Sequence, residues 1–318
     1  MLQYILSFIV LISIVVFIHE YGHYYFAKKY KVGVTDFSIG FGKELFGFND
    51  KDGTRWKICA IPLGGYVKFF GDSNSASQPT SLSKIDEDDH AKLLTTKPLY
   101  QRAIIVSAGP IANFILAIFI FAIIFITVGK DISIPVISEV KENSPAQEAG
   151  LKSKDQIIFI DNKKIESIND VALFITTSKN NSVKIDVLRN QKELSFSVIP
   201  EKKMTKDNFG NNIERKLIGI KIAPLQGKLN REKMGPAKAL YLSVKETYNT
   251  IAMTLSYIGR MISGQESADQ LGGPIKIAQI SGKVAEHGLV PFLSIMAYIS
   301  ISLGLINLFP IPMLDGGH

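Results

Sequence analysis

The first eighteen residues, Met1 to Ile18, hold no charged side chain and pass without a proline into His19-Glu20-Tyr21-Gly22-His23. A bilayer core of about 30 Å takes roughly 20 apolar residues in a helix, so the segment reads as a transmembrane helix with ionisable groups in its later turns. Each such group costs about 2.5 to 3.5 kcal/mol at a helix centre on insertion scales, and a span that keeps them gives them partners. Histidines at i and i+4 of an H-E-x-x-H sequence share one helical face and can hold one zinc ion with the glutamate beside it. The competing reading is a juxtamembrane helix end with His19, Glu20 and His23 in water. A signal peptide is disfavoured because Lys28, Lys29 and Lys31 follow the apolar run instead of preceding it.

Two more stretches are long and apolar enough to span, Ala103 to Val128 and about Leu289 to Phe309. Basic residues close to a span favour the cytoplasm. Lys28, Lys29 and Lys31 place the end of the first span inside, and Arg102 does the same for the start of the second. The segment from Gly129 to about Gly288 then lies outside, and the third span returns inward to the side that holds His19 and His23. A hydrophobic share of 46% with mean hydropathy +0.17 excludes a disordered chain. The net charge of +7 comes without a helix-turn-helix, a finger or a basic-aromatic strip, so it argues for topology and against nucleic acid. The single cysteine, Cys59, excludes an intramolecular disulfide and a thiolate zinc site. Any metal must use histidine and carboxylate.

The third ligand is expected from Asn307-Leu-Phe-Pro-Ile-Pro-Met-Leu-Asp315-Gly-Gly-His318. Span parity brings Asp315 to the side and depth of the histidines. Pro310 and Pro312 end the helix, and Gly316 and Gly317 let backbone approach closely, which suits a carboxylate delivered from an irregular turn. His318 is the rival ligand, and a solvated aspartate in a helix-ending turn is the bland alternative.

The outer segment has strand-like runs at Ser133 to Val140, Gln156 to Asp161, Ser182 to Leu188 and Leu194 to Ile199. A helical stretch from Ser167 to Thr177 has a serine cap with Asp170 in the box position. These make a small α+β, β-rich domain of about 100 residues. Gly235 to Gly264 reads as an amphipathic helix on the membrane surface, with a fourth span as the alternative. Lys28 to Arg102 reads as a mixed loop with an exposed acidic, serine-rich middle from Asp72 to Asp89. The chain thus divides into a transmembrane helix over 1–30, a cytoplasmic-side loop over 31–102, a transmembrane helix over 103–128, an extracytoplasmic domain over 129–225, an amphipathic surface segment over 226–288, and a third transmembrane helix over 289–318.

Taken together the motifs resemble the site-2 proteases, intramembrane zinc metalloproteases, and within them the bacterial regulator-of-sigma-E protease branch. The resemblance runs through His19 to His23, Pro62 to Asp72 (PLGGYVKFFGD), Gln101 to Phe114 (QRAIIVSAGPIANF), Leu271 to Gln279 (LGGPIKIAQ) and Asn307 to His318. It implies a polytopic α-helical membrane protein with an inserted small α+β PDZ-like domain. It implies Zn2+ held by His19, His23 and Asp315, with Glu20 as catalytic acid/base. Gly64, Gly65 and Tyr66 look like part of the family's re-entrant β-loop over 62–72, and Asn307 looks like its substrate-contacting asparagine. The outer domain is similar to a single PDZ domain through Ser144 to Leu151 and Asp155 to Ile160, with Lys154 and Asn162 standing where glycine is usual. Such proteins carry a further transmembrane helix beyond the point where this chain ends. The implied reaction is hydrolysis of a peptide bond within or near transmembrane segments, as in regulated intramembrane proteolysis, on a transmembrane substrate such as an anti-sigma factor or a signal-peptide remnant. The implied location is the bacterial cytoplasmic (inner) membrane, multi-pass in the lipid bilayer, with the active site near the cytoplasmic face. An inactive scaffold presenting a PDZ domain and a metal transporter are the alternatives, and Glu20 between the two histidines weighs against both.

Overall fold

The computed structural model describes residues 2–72, 87–178, 181–206, 212–225, 227–264, 273–311 and 314–315. The chain forms two compact units, Met1–Ile123 with Leu240–Ser256 and Leu271–His318, and Ile124–Ala239 with Tyr257–Gln270.

The first unit is built on helices α1 (Leu2–Lys29), α2 (Leu99–Thr127) and α7 (Leu289–Asn307). Among the described residues these three are long and apolar enough to cross a membrane. Helix α2 starts ahead of the expected Ala103 because the Pro98 carbonyl accepts from the Gln101 and Arg102 N–H groups, at 3.0 and 3.2 Å, while its own missing N–H costs a helix start nothing. Helix α7 stops at Asn307, short of Pro310. The segment expected as an amphipathic stretch over 226–288 holds two helices, α5 (Pro236–Ile262) and α6 (Pro274–Glu286). Helix α5 is not among the three with spanning hydropathy. Helix α6 packs on α1, where Gly282 leaves room for the Tyr4 ring.

The expected loop over 31–102 contains two long strands: β1 (Val34–Asn49) and β2 (Arg55–Phe69) pair along their length. Residues Asp36, Phe37, Ser38 and Ile39 have partners on both edges, Lys68, Val67, Tyr66 and Gly65 on one and Arg55, Trp56, Lys57 and Ile58 on the other. The turn between the strands is organised by Asp50. Its Oδ1 accepts from the Asp52 and Thr54 N–H groups at 2.9 and 2.8 Å, and its Oδ2 accepts from the Tyr24 hydroxyl at 2.8 Å and from Trp56 Nε1 at 3.1 Å. Burial pushes the Asp50 carboxyl up, but these four donors outweigh it and hold it below the ordinary carboxylate range. Phe37 stacks on Trp56 at 4.1 Å and joins Ala27, Val67, Phe69 and Ile105 in a buried cluster. The pair of strands is thereby fixed against α1 and α2. Of the acidic stretch Asp72 to Asp89, residues 73–86 lie outside the described residues.

The second unit holds strands β3 (Lys130–Asp131), β4 (Pro135–Val140), β5 (Gln156–Ile160), β6 (Lys163–Lys164), β7 (Val183–Arg189), β8 (Lys192–Val198), β9 (Glu201–Lys206), β10 (Asn212–Leu217), β11 (Ile220–Pro224) and β12 (Arg231–Glu232), with helices α3 (Pro145–Glu148) and α4 (Ile168–Thr177). One sheet has the order β11-β4-β5-β7-β8, with β6 on β5. Its core is Ile137, Ile157, Ile160, Val171, Val183, Ile185, Val187 and Val198, each contributing about 1.5 to 3 kcal/mol by leaving water. Helix α4 begins as expected, with the Ser167 N–H donating to Asp170 Oδ2 at 2.8 Å. The unit runs past the expected limit of residue 225. Strand β12 pairs with β3, and the Met234 N–H reaches the Phe125 carbonyl at 3.0 Å, which ties the entering and leaving chain together.

Lys154 and Asn162, which replace the glycines of the PDZ pattern, both adopt positive φ, 73° and 60°. The backbone has kept a conformation that favours glycine. Lys154→Gly should therefore stabilise this unit by about 0.5 to 1 kcal/mol, the relief of a left-handed residue less the entropy that glycine loses. A thermal midpoint unchanged or lowered in this variant would contradict it. The gain at Asn162 should be smaller, because asparagine tolerates this region.

Candidate metal centre

Helix α1 places His19 and His23 one turn apart, and the turn after α7 delivers Asp315 to them. His19 Nε2 lies 2.8 Å from Asp315 Oδ2, His23 Nε2 lies 3.2 Å from the same oxygen, and the two Nε2 atoms are 3.3 Å apart. Zinc bonded tetrahedrally to nitrogen and oxygen at about 2.0 to 2.1 Å separates its ligand atoms by roughly 3.3 Å. The triangle fits that ion with small adjustments, and its donor set of two imidazoles and a carboxylate leaves a fourth position open. Among the described residues this is the one group of three such side chains whose ligand atoms converge within 4.8 Å. His19 and His23 are 4% and 6% exposed, so the bland reading of a solvated helix end does not hold.

The surroundings are built for close approach. His23 Nδ1 donates to the Ile105 carbonyl of α2 at 2.8 Å, which fixes the tautomer with Nε2 free. Gly109 of α2 faces the His23 ring so closely that a Cβ there would overlap the imidazole. A Cβ on Gly22 would likewise meet the Ala108 carbonyl. Gly304 of α7 gives passage to the Pro110 carbonyl and Asn113, and Ser300 Oγ donates to the Asn113 carbonyl at 2.8 Å. The three apolar helices thus meet through small residues at the depth of the histidines, as membrane helices do where backbones must come together.

Glu20 is buried, with the Val67 backbone of β2 beside its carboxylate. Gly65 lies over it, a Cβ there falling 3.2 Å from Glu20 Cγ and 2.6 Å from the Ser38 carbonyl. Of the loop residues implied by the resemblance, then, Gly65 comes to the carboxylate. Tyr66 instead stacks on Phe41 at 6.0 Å with Lys57 over its ring at 5.2 Å, and Gly64 sits against Phe41. Asn307 comes to the metal residues, its Nδ2 3.1 Å from His19 Nε2. The rival ligand His318 and the residues Pro312, Gly316 and Gly317 lie outside the described residues.

Three neighbours of the histidines were not assigned a role from the sequence: the Ile105 carbonyl, Gly109, and Asn113, whose Nδ2 lies 3.1 Å from His19 Nδ1. The available signal was a buried amide inside an apolar span, three residues past a Gly-Pro pair that already marks a helix irregularity.

The sequence pattern of Peptidase family M50 matches residues 7–318. A protein of Agrobacterium fabrum with the provisional name zinc metalloprotease is 44% identical over 317 residues, covering 99% of this chain and 84% of its own length. One of Rhizobium meliloti, provisionally named in the same way, is 39% identical over 320 residues, covering 100% and 86%. Metalloprotease MmpA of Caulobacter vibrioides is 33% identical over 338 residues, covering 99% and 84%. A crystal structure of the PDZ domain of an SdrC-like protein from Listeria monocytogenes is similar over 28% of this chain and 87% of that one, at 23% identity and a TM-score of 0.22. With the family pattern running through nearly the whole chain, the protein belongs to peptidase family M50 and is a zinc metalloprotease.

Proposed function

We propose that this protease hydrolyses a peptide bond within or near a transmembrane segment of a membrane protein, with His19, His23 and Asp315 as its zinc ligands. The observation that carries the reading is the convergence of three ligand atoms at 2.8 to 3.3 Å on a helix apolar enough to lie in a bilayer. Zinc bound there supplies Lewis acidity toward a carbonyl and acidifies water. The protein supplies the rest. Glu20, buried on the same helix beside β2, takes a proton from the attacking water and returns it to the leaving amine. Asn307, beside His19 Nε2, has an amide placed to hydrogen-bond a bound peptide.

A substrate helix satisfies its amides internally, so it must unwind before one bond becomes accessible, and in an apolar setting the freed groups need new partners. Strand β2 passes beside Glu20 at Gly65, and its backbone can supply those partners by strand addition. The lysines Lys28 and Lys29 at the end of α1 and Arg102 in the first turns of α2 support a site near the cytoplasmic face of a bacterial inner membrane. The β-rich unit is then extracytoplasmic and acts as a PDZ-type docking module or size filter.

The test is cleavage in proteoliposomes of a single-span substrate, with the product ends mapped by mass spectrometry. Cleavage sites inside or within a turn of the apolar segment, abolished by a zinc chelator, are the expected result. Products that arise only from soluble, membrane-free polypeptide would overturn the proposal.

A further inference from the structure

The two histidines are not treated alike by their neighbours. His23 Nδ1 meets a backbone carbonyl, an obligatory acceptor, so its proton is settled on Nδ1 and Nε2 is free. His19 Nδ1 meets a side-chain amide: Asn113 Nδ2 lies 3.1 Å away. In that arrangement Nδ1 accepts and the ring proton goes to Nε2, towards Asp315 Oδ2 at 2.8 Å but against the Asn307 Nδ2 donor at 3.1 Å. A ring in this tautomer has no lone pair on Nε2 to offer a metal. Asn113 itself is 0% exposed, and among the described residues its Oδ1 has no hydrogen-bond partner. A half-turn of the amide exchanges the two ends, brings Oδ1 to His19 Nδ1, and gives that oxygen the donor it lacks. A metal on Nε2 requires this second arrangement, because Nδ1 must then carry the proton.

We infer that Asn113 is a positioning residue of the metal centre: its amide oxygen accepts the His19 Nδ1 proton and selects the tautomer that offers Nε2 to zinc. The inference rests on the reading of His19, His23 and Asp315 as ligands. Asn113 is well placed for this work. Its backbone carbonyl is tied to Ser300 of α7, and its side chain reaches α1, so it links the three helices that carry the site. An amide buried in an apolar span is costly without a partner, and an outer-shell acceptor on a ligating imidazole typically changes metal affinity 10- to 100-fold.

The experiment is zinc affinity by chelator competition on the detergent-purified chain and on Asn113→Leu and Asn113→Asp, with the thermal midpoint of each metal-free protein recorded alongside. Leucine matches the shape but cannot accept; aspartate can only accept. Asn113→Leu should weaken zinc binding by about 10- to 100-fold, whereas Asn113→Asp should stay within about threefold of the parent or bind more tightly, on the same outer-shell logic. A donor role or a purely structural role predicts otherwise. If Asn113→Asp loses zinc as far as Asn113→Leu, or if Asn113→Leu binds like the parent, the inference is overturned. Should the leucine variant fail to fold, the aspartate variant alone decides, retention supporting and loss overturning. Absence of zinc from the parent would instead strike the ligand assignment itself, a distinguishable failure.

Discussion

Replacing Glu20 by glutamine is expected to leave zinc binding within a few-fold of the parent and to lower peptide cleavage by about 10²- to 10⁴-fold, the usual worth of a positioned acid/base. The two halves of this expectation have separate causes. The ligand atoms that converge belong to His19, His23 and Asp315, and Glu20 is outside that triangle, buried against Gly65 of β2. Glutamine keeps the length of the side chain, so neither α1 nor β2 has reason to move. What it lacks is the capacity to take a proton and hand it on. Metal content and turnover should be measured on the same preparation. A variant that cleaves a transmembrane substrate at the parent rate would remove Glu20 from the reaction, and one that loses its zinc would make Glu20 a ligand.

The convergence of His19, His23 and Asp315 was largely legible in the sequence because each part left a local trace. Two histidines four apart in an apolar run announce a shared face, and counting spans puts Asp315 on their side. No contact needed to be known. Gly109 and Asn113 were hidden for the opposite reason: nothing local distinguishes a glycine that makes room for an imidazole on another helix from one that merely loosens its own. Strand β1 and the part of β2 ahead of the expected β-loop over 62–72 escaped notice because Gly40, Gly42 and Gly47 break the alternation of Val34 to Asn49, and because four residues of β1 pair on both edges, so that neither face reads as simply in or out. The end of the β-rich unit was placed too early since the closing pair, β3 with β12, is two residues on each side and carries no period at all. At Lys154 and Asn162 the side chains do not reveal the positive φ of the backbone beneath them. A side chain can change while the left-handed backbone beneath it stays, since one such residue costs only about 1 to 2 kcal/mol against a folded core.

The second large effect is expected from a single methyl group. Gly109→Ala would put a Cβ on top of the His23 imidazole, closer than any carbon approaches a ring nitrogen. A side chain so struck could usually swing away at little cost. His23 has no such freedom: Nδ1 is fixed to the Ile105 carbonyl at 2.8 Å, and Nε2 lies 3.2 Å from Asp315. Either the ring leaves the ligand triangle or α2 moves away from α1, and Gly22 against Ala108 shows how little slack the second route has. Zinc affinity should therefore fall by more than tenfold, the range seen when a ligand loses its support, and turnover at saturating zinc by about 10²-fold, since displacements near 1 Å cost that much. Gly259→Ala is the matched control, because among the described residues a Cβ there meets nothing within 4 Å; it should bind zinc like the parent and gain up to about 1 kcal/mol of helix stability. Parent-like affinity and turnover in Gly109→Ala would mean that the helices are not held together at this depth, and that the site tolerates an α1–α2 spacing wider than the contacts among Gly22, Ala108 and Gly109 allow.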